Sequence, residues 1–155
     1  MLLRITKNYG KPHIILYRRD DGSETWMNAD DFFVRHDISH YCIEKNLGYK
    51  TAFMGMLNYG MDVKDFEDRT KRKQIIISKE ALYAENVANL FLMEIAQRNF
   101  DNFNQLAKQS FESWNKEFTA TVLSEDEINR IHKSLKALLQ SWNALAPGKA
   151  IELLF

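Results

Sequence analysis

The chain has 155 residues, of which 45% are hydrophobic and 27% are charged, a composition typical of soluble globular proteins. This length predicts a single domain over residues 1–155 that buries a core of its own. Lysine plus arginine and aspartate plus glutamate number 21 each, and this zero net charge excludes a chain-wide basic surface for nucleic acid.

The cysteine content and the amino-terminal residues bear on the cellular compartment. Cys42 has no second cysteine with which to form an internal disulfide, which favours a reducing compartment. Residues 1–7 lack the apolar core and cleavage site of a signal peptide, and no window approaches the roughly 18 apolar residues of a membrane span. We therefore expect a cytoplasmic protein without a membrane partner.

Strands are predicted at both ends of the chain. Residues 3–6 alternate apolar and polar side chains, residues 13–17 are mostly apolar, and residues 24–27 follow a turn signal at 20–23. Connections this short predict an antiparallel meander. A final strand is predicted near 150–155, and it is expected to dock on the meander because its backbone groups would otherwise lack partners.

Helical patterns occupy the middle of the chain. Asn28 is predicted to cap a helix that ends near Leu47, before Gly48. A short apolar helix is predicted over 51–59, in which Gly55 allows the close approach of another helix. The later helices are predicted over residues 78–99, 101–118 and 124–145. Ser78 is expected to cap the first of these, and Ser124 with Glu127 forms a capping box at the start of the last. Together these elements predict an α+β fold in which a small antiparallel sheet packs against several helices.

The segment 36–44, with the sequence HDISHYCIE, carries the strongest functional signal. Four side chains share one side of the predicted helix, within an arc of about 100°: His36, Asp37, His40 and Glu44. Imidazoles at positions i and i+4 point the same way and can share a metal ion. Imidazole and carboxylate groups suit zinc and other divalent transition metals. The segment therefore predicts a divalent-metal site, with zinc as the candidate ion and these four residues as candidate ligands.

The rise of a helix restricts how these residues act together. His36 and Glu44 lie about 12 Å apart along the axis, so one ion cannot easily bind both. The better local pairs are His36 with His40, or Asp37 with His40, completed by a ligand from elsewhere. Glu44 then binds from the next turn, orients a histidine or holds a water molecule. The candidates for the distant ligand are Asp62, Asp65, Glu67, Asp68, Glu80, Glu85 and Glu94.

An open coordination position would give this metal site an enzymatic role. The ion could activate water or polarise a carbonyl oxygen, with Glu44 or Asp37 carrying the proton. This predicts a metal-assisted hydrolase or lyase that acts on a small molecule. The alternative is a non-catalytic binding or interaction protein, in which the same residues form a structural network, for example Asp37 with Arg35 or Lys45.

The first part of the segment resembles a known metal motif. His36-Asp37-x-x-His40 resembles the zinc motif of a coenzyme-Q biosynthesis family, in which H-D-x-x-H is followed, after eleven residues, by a glutamate. The resemblance implies that His36, Asp37 and His40 are ligands. Ala52 stands where that family has its glutamate.

A longer pattern has a second resemblance. The run 36–44, followed by Phe53-x-Gly55 and then Gly60, resembles small bacterial proteins of unassigned function. This resemblance implies a shared fold class and a shared site, and it implies no particular activity.

The methionine-rich segment after the first helix has two interpretations. Met54, Met56, Phe53 and Tyr59 are expected to belong to a core helix, with Phe53, Met56 and Leu57 on its buried side. Flexible methionines and aromatic rings can also shape an adaptable apolar pocket or partner surface. A pocket of this kind beside the two histidines would favour a small hydrophobic or aromatic substrate.

The remaining features favour structural roles. The basic run at Arg69, Lys71, Arg72 and Lys73 is expected to be a solvated loop, and the alternative is that it contacts nucleic-acid phosphates. Cys42 falls on a different side of the helix from the histidines, so it is expected to be a packed thiol. The aromatic residues expected to fill the core include Trp26, Phe32, Phe33, Trp114 and Trp142.

Overall fold

The computed structural model describes residues 1–66, 68–73 and 75–155, and its architecture is α+β as predicted. The four strands are β1 (Leu2–Thr6), β2 (His13–Arg18), β3 (Glu24–Ala29) and β4 (Ala150–Leu154). They form one antiparallel sheet in the order β3-β2-β1-β4. The pairing of β4 with β1 confirms that the final strand docks on the amino-terminal meander.

Alternation of side chains decides which face of the sheet is buried. Leu3 and Ile5 of β1 lie opposite Tyr17 and Ile15 of β2, and all four side chains are fully buried. Because successive side chains of a strand point to opposite faces, these four share the face that packs on the helices. Tyr17 thereby brings its hydroxyl group to the helical layer, where it contacts the first helix.

The helices are α1 (Asp31–Leu47), α2 (Phe53–Asn58), α3 (Arg69–Arg72), α4 (Lys79–Ala96), α5 (Phe103–Trp114) and α6 (Glu125–Ala144), with a 3-10 helix at Val63–Phe66. Helix α1 contacts the sheet, α4 and α6, and every residue from 37 to 44 in it is buried. The segment that carries the functional signal therefore lies in the core. No helix among the described residues is long and apolar enough to cross a membrane.

The start of α1 differs from the prediction. Asn28 does not cap this helix, because β3 continues through Asn28 to Ala29. Asp30 is the cap, and its carboxylate accepts a hydrogen bond from the Phe33 amide at 3.0 Å. Gly48 ends the helix as predicted, in the left-handed conformation with φ of 69°.

Two later helices have the predicted caps but α4 and α5 end early. Ser78 and Ser124 cap α4 and α6, and Ser124 forms the predicted capping box with Glu127. Helix α4 ends at Ala96 and α5 ends at Trp114, short of the predicted 99 and 118. After α5, the side-chain amide of Asn115 donates to the Phe118 carbonyl, a local hydrogen bond that competes with continuation of the helix.

The prediction that the aromatic residues fill the core is wrong for four of the five. Trp26, Phe32, Phe33 and Trp114 are between 47% and 60% exposed, and only Trp142 of this group is fully buried. Phe33 and Trp114 instead line a cavity beside α1. The sequence pattern does not separate these two cases, because a cavity wall and a core both require apolar side chains at helical spacing.

The short helix α2 is held against the loop that precedes it. Gly55 makes a close approach as predicted, although its neighbour is that loop and not another helix: a Cβ atom there would lie 2.0 Å from the Lys50 carbonyl oxygen. Leu57 is fully buried, whereas Phe53 and Met56 are only partly buried and line the cavity. Helix α2 is therefore both a core element and a cavity wall.

Cys42 is a packed thiol as expected. It is fully buried in α1, and burial raises the pKa of its thiol to about 12.

Candidate metal centre

The side chains of His36, His40 and Glu85 meet between α1 and α4. The two imidazole rings come from successive turns of α1, with their centroids 4.7 Å apart. The Glu85 carboxylate lies 3.4 Å from Nε2 of His36 and 3.1 Å from Nε2 of His40. One ligand atom from each residue lies within 4.8 Å of the other two, so the three form a group that could hold a metal ion.

The spacing of the donor atoms suits a small divalent ion. Zinc bonds to nitrogen and oxygen measure about 2.0–2.1 Å, which places tetrahedral ligand atoms about 3.3 Å apart. The two nitrogen–oxygen separations, 3.4 Å from His36 to Oε1 of Glu85 and 3.1 Å from His40 to its Oε2, lie on either side of that value. Three protein ligands would leave a fourth position open, which is the arrangement of catalytic zinc sites.

The three side chains run from the core to the surface. The side chain of His40 is 2% exposed, that of His36 is 18% exposed and that of Glu85 is 55% exposed. Phe32 stacks on the His36 ring, and Phe53 packs against the His40 ring at a centroid distance of 5.4 Å. The imidazoles are therefore held by packing, while the Glu85 side of the group is accessible.

Glu44 lies behind His40. Its Oε1 atom is 3.0 Å from Nδ1 of His40, and its Oε2 atom accepts a hydrogen bond from the Met54 amide at 2.9 Å. When the neutral ring of His40 donates a hydrogen bond from Nδ1 to Glu44, its Nε2 carries no proton. Nε2, which faces Glu85, is then able to bind a metal ion. This geometry matches the orienting role that was one of the alternatives for Glu44.

Asp37 faces the sheet and the cavity. Its buried carboxylate accepts a hydrogen bond from the Tyr17 hydroxyl, a partner that the sequence analysis did not single out. The predicted pairing of Asp37 with Arg35 or Lys45 is wrong, since Arg35 bonds Asp31 at 2.6 Å and Lys45 donates to the Leu154 carbonyl. Asp37 is outside the group of three, and its assignment as a direct ligand stays a prediction.

The charges around His40 favour its protonated form in the metal-free protein. Burial lowers its pKa, but the hydrogen bonds to Glu44 and Glu85 outweigh burial and raise the pKa of His40 to about 10. Hydrogen bonds with His36, and then with His40, hold the pKa of Glu85 well below its usual range. Burial raises the pKa of Glu44, and His40 offsets part of that rise. A metal ion at Nε2 would take the place of the proton that His40 shares with Glu85.

Glu85 is the distant candidate that reaches the histidines. The other described candidates bind different partners: Glu80 accepts from the backbone of Lys50 and Thr51, Glu94 pairs with His132, Asp62 bonds Thr25, Asp65 pairs with Lys71, and Asp68 caps α3. Glu67, the remaining candidate, lies outside the described residues.

A cavity of about 660 Å³ opens beside the group of three. Its polar lining consists of His36, Asp37, His40 and Glu85 among the described residues. The rest of its described wall is apolar, and includes Phe33, Phe53, Met56, Phe66, Leu82 and Trp114. The volume falls in the range of small-molecule sites, about 300–1,000 Å³. A pocket beside the histidines, one of the two interpretations of the methionine-rich segment, is therefore present.

The basic run is only partly described. Lys71 forms an ion pair with Asp65 at 2.6 Å, which offsets its charge. The side chains of Arg69 and Arg72 lie outside the described part of the structure. The nucleic-acid alternative therefore stays a prediction.

Comparison with family models, with curated proteins and with solved structures found no match to this chain. The two motif resemblances therefore stay predictions.

Proposed function

We propose that the chain binds one divalent metal ion through Nε2 of His36, Nε2 of His40 and the Glu85 carboxylate. The observation that carries this proposal is that one ligand atom from each of three side chains, on two helices, lies within 4.8 Å of the other two. Zinc is the first candidate, because two imidazoles and one carboxylate hold it in hydrolytic enzymes. The same donor set holds Fe(II) in oxygenases, so the ion must be identified by elemental analysis.

Glu44 supports this assignment. A carboxylate that accepts a hydrogen bond from the far nitrogen of a ligating imidazole fixes the tautomer of that ring and strengthens its donation to the metal. Glu44 has this position behind His40, and its second oxygen is anchored by the Met54 amide. We therefore assign Glu44 an orienting role in preference to direct ligation.

We propose further that the bound ion serves metal-assisted hydrolysis or lyase chemistry on a small molecule. A bound ion would supply polarisation of a carbonyl oxygen or a lowered pKa of water. The support for this role is the cavity, which lies directly beside the accessible side of the three ligands. Of the two carboxylates considered as proton carriers, Asp37 lines this cavity, whereas Glu44 is turned away behind His40.

One observation favours a second candidate, a non-catalytic protein with a structural network. Both ring nitrogens of His40 already have carboxylate partners, Glu44 at 3.0 Å and Glu85 at 3.1 Å. A protonated imidazole between two carboxylates is a satisfied arrangement without any metal. The two candidates differ in whether a divalent ion binds at one equivalent.

Zinc affinity of matched variants tests the proposal. The wild-type protein should bind one equivalent of zinc in competition with a chromophoric chelator. Three variants each remove one proposed ligand: His36→Ala, His40→Ala and Glu85→Ala. Each should weaken zinc binding more than the loss of a residue outside the coordination shell does, which is typically about 10–100-fold. Elemental mass spectrometry of untagged protein, purified without added metal, identifies the ion carried from the cell.

Glu80→Ala is the matched control for Glu85→Ala. Glu80 lies on the same helix and binds the loop before α2, away from the histidines. Glu80→Ala should therefore leave zinc affinity unchanged. Wild-type protein that takes up no zinc, or ligand variants that bind zinc as tightly as Glu80→Ala, would support the structural network instead.

A further inference from the structure

In the cavity, the described polar side chains are clustered and the other described side chains are apolar. His36, His40 and Glu85 have ligand atoms within 4.8 Å of one another, and the fourth polar residue, Asp37, follows His36 in the chain. The rest of the described wall consists of aromatic and aliphatic side chains, among them Phe33, Phe66, Leu82 and Trp114. This separation means that a molecule in the cavity meets metal-ligating groups at the cluster and apolar side chains over the rest of the described wall.

The charges of the cavity narrow its occupant further. No lysine or arginine lines it among the side chains that the structure describes. An anionic group buried against these described side chains would lose its hydration without gaining a cationic partner. An uncharged hydrocarbon or aromatic body, in contrast, gains from burial against these walls.

From this separation we propose that the cavity binds a small molecule with one metal-ligating oxygen head group and an uncharged apolar body. This inference rests on the proposed function, because the head group is placed on the ion held by His36, His40 and Glu85. The apolar wall supplies affinity and the ion fixes orientation. The substrate class is thus an amphipathic acid, ester, ketone or amide, with its reactive oxygen at the polar end.

Hydroxamate probes of graded length test the proposal on the zinc-loaded protein. Acetohydroxamate presents the head group alone, and octanohydroxamate adds six methylene groups to it. Each buried methylene should raise affinity about fourfold. Since the cavity is partly open, we expect octanohydroxamate to bind at least about 100-fold tighter than acetohydroxamate. The monohydroxamate of suberic acid has the same chain length with a carboxylate at its far end, and it should lose most of this gain.

Variants of similar shape locate the binding energy. Met56→Gln puts an amide in the apolar wall, and should weaken octanohydroxamate about 5–10-fold without changing acetohydroxamate. Met93→Gln is the control, because Met93 lies on α4 at 44% exposure and outside the cavity lining. It should leave both affinities unchanged.

The outcomes separate this inference from the proposed function. If the protein takes up no zinc, the metal site and the inference both fall. If zinc binds at one equivalent but the two hydroxamates bind equally well, or neither binds, the metal site stands and the inference is overturned. The inference is supported if affinity rises with hydroxamate length, and if Met56→Gln reduces this gain while Met93→Gln does not.

Discussion

Replacement of Glu44 by glutamine is the sharpest test of how the site is built. The two oxygens of Glu44 have different partners, Nδ1 of His40 at 3.0 Å and the Met54 amide at 2.9 Å. Both partners donate hydrogen bonds to Glu44 in the proposed metal-bound arrangement. Glutamine has one oxygen and one NH₂ group in nearly the same shape. It can therefore accept from one of these partners, and must present its own protons to the other.

Either orientation of the glutamine amide has a cost. If its oxygen stays on Met54, its NH₂ group faces Nδ1 of His40 and favours the tautomer whose proton is on Nε2, the atom that should bind the metal. If its oxygen faces His40, the buried Met54 amide loses its acceptor, at a cost of about 1–3 kcal/mol in folding free energy. We expect zinc affinity to fall about 10–100-fold, or about 1.4–2.8 kcal/mol.

A chelator competition titration measures this effect, and Glu80→Gln provides its control. Glu80 is also a carboxylate that accepts backbone hydrogen bonds near the start of α2, from Lys50 and Thr51, but it does not contact His40. Glu80→Gln should change thermal stability without changing zinc affinity. A folded Glu44→Gln protein that binds zinc as tightly as the wild type would refute the orienting role of Glu44.

Three further predictions concern the core around the site. Gly55→Ala should lower the free energy of unfolding by about 1–3 kcal/mol or more, because the new Cβ would lie 2.0 Å from the Lys50 backbone oxygen. Denaturant titration measures this loss, and unchanged stability would contradict the close approach. Burial raises the pKa of Cys42 to about 12, so this thiol should react with Ellman's reagent at pH 8 only after the protein unfolds. Rapid labelling of the native protein would contradict this burial. In the metal-free protein, the pKa of His40 is raised from 6.5 to about 10, so its stabilising contribution is complete below pH 6.5 and is lost as pH rises towards 10. The melting temperature should accordingly fall over this range, and His40→Gln should lack that part of the slope.

The fold class follows from local patterns that act over short distances. Alternation in the strands, the turn before β3 and the capping box at Ser124 each depend on neighbouring residues, and all three are confirmed. The cap of α1 was misplaced because β3 extends to Ala29, and that extension depends on pairing with His13 of β2. Interactions across the sheet are not visible in a local pattern.

The histidine pair was likewise visible from helical spacing, whereas the third member of the group was one of seven candidates. The sequence does contain a signal for Glu85. It lies within a stripe of small residues on α4, Ala81, Ala84 and Ala88, at the spacing i, i+3, i+4 and i+7. Small side chains allow a neighbouring helix to approach closely, and a single carboxylate in such a stripe is brought to the partner helix. Which helix is the partner depends on tertiary packing.

The roles of Asp37 and Glu44 could not be read from the sequence for a similar reason. Both fall on the histidine side of α1, within one arc of about 100°. Their different positions arise from partners on other elements, Tyr17 from β2 for Asp37 and the Met54 amide from α2 for Glu44. Helical spacing predicts which side chains share a side, and neighbouring elements decide what each of them binds.

The most direct test of the metal site is a long-range proton–nitrogen NMR correlation spectrum of the four histidines during zinc titration. We expect the Nε2 signals of His36 and of His40 to shift until one equivalent is added, while His40 keeps its proton on Nδ1. His13 and His132 should not change. Shifts at His13 or His132 alone, or none at any histidine, would contradict a metal site between α1 and α4.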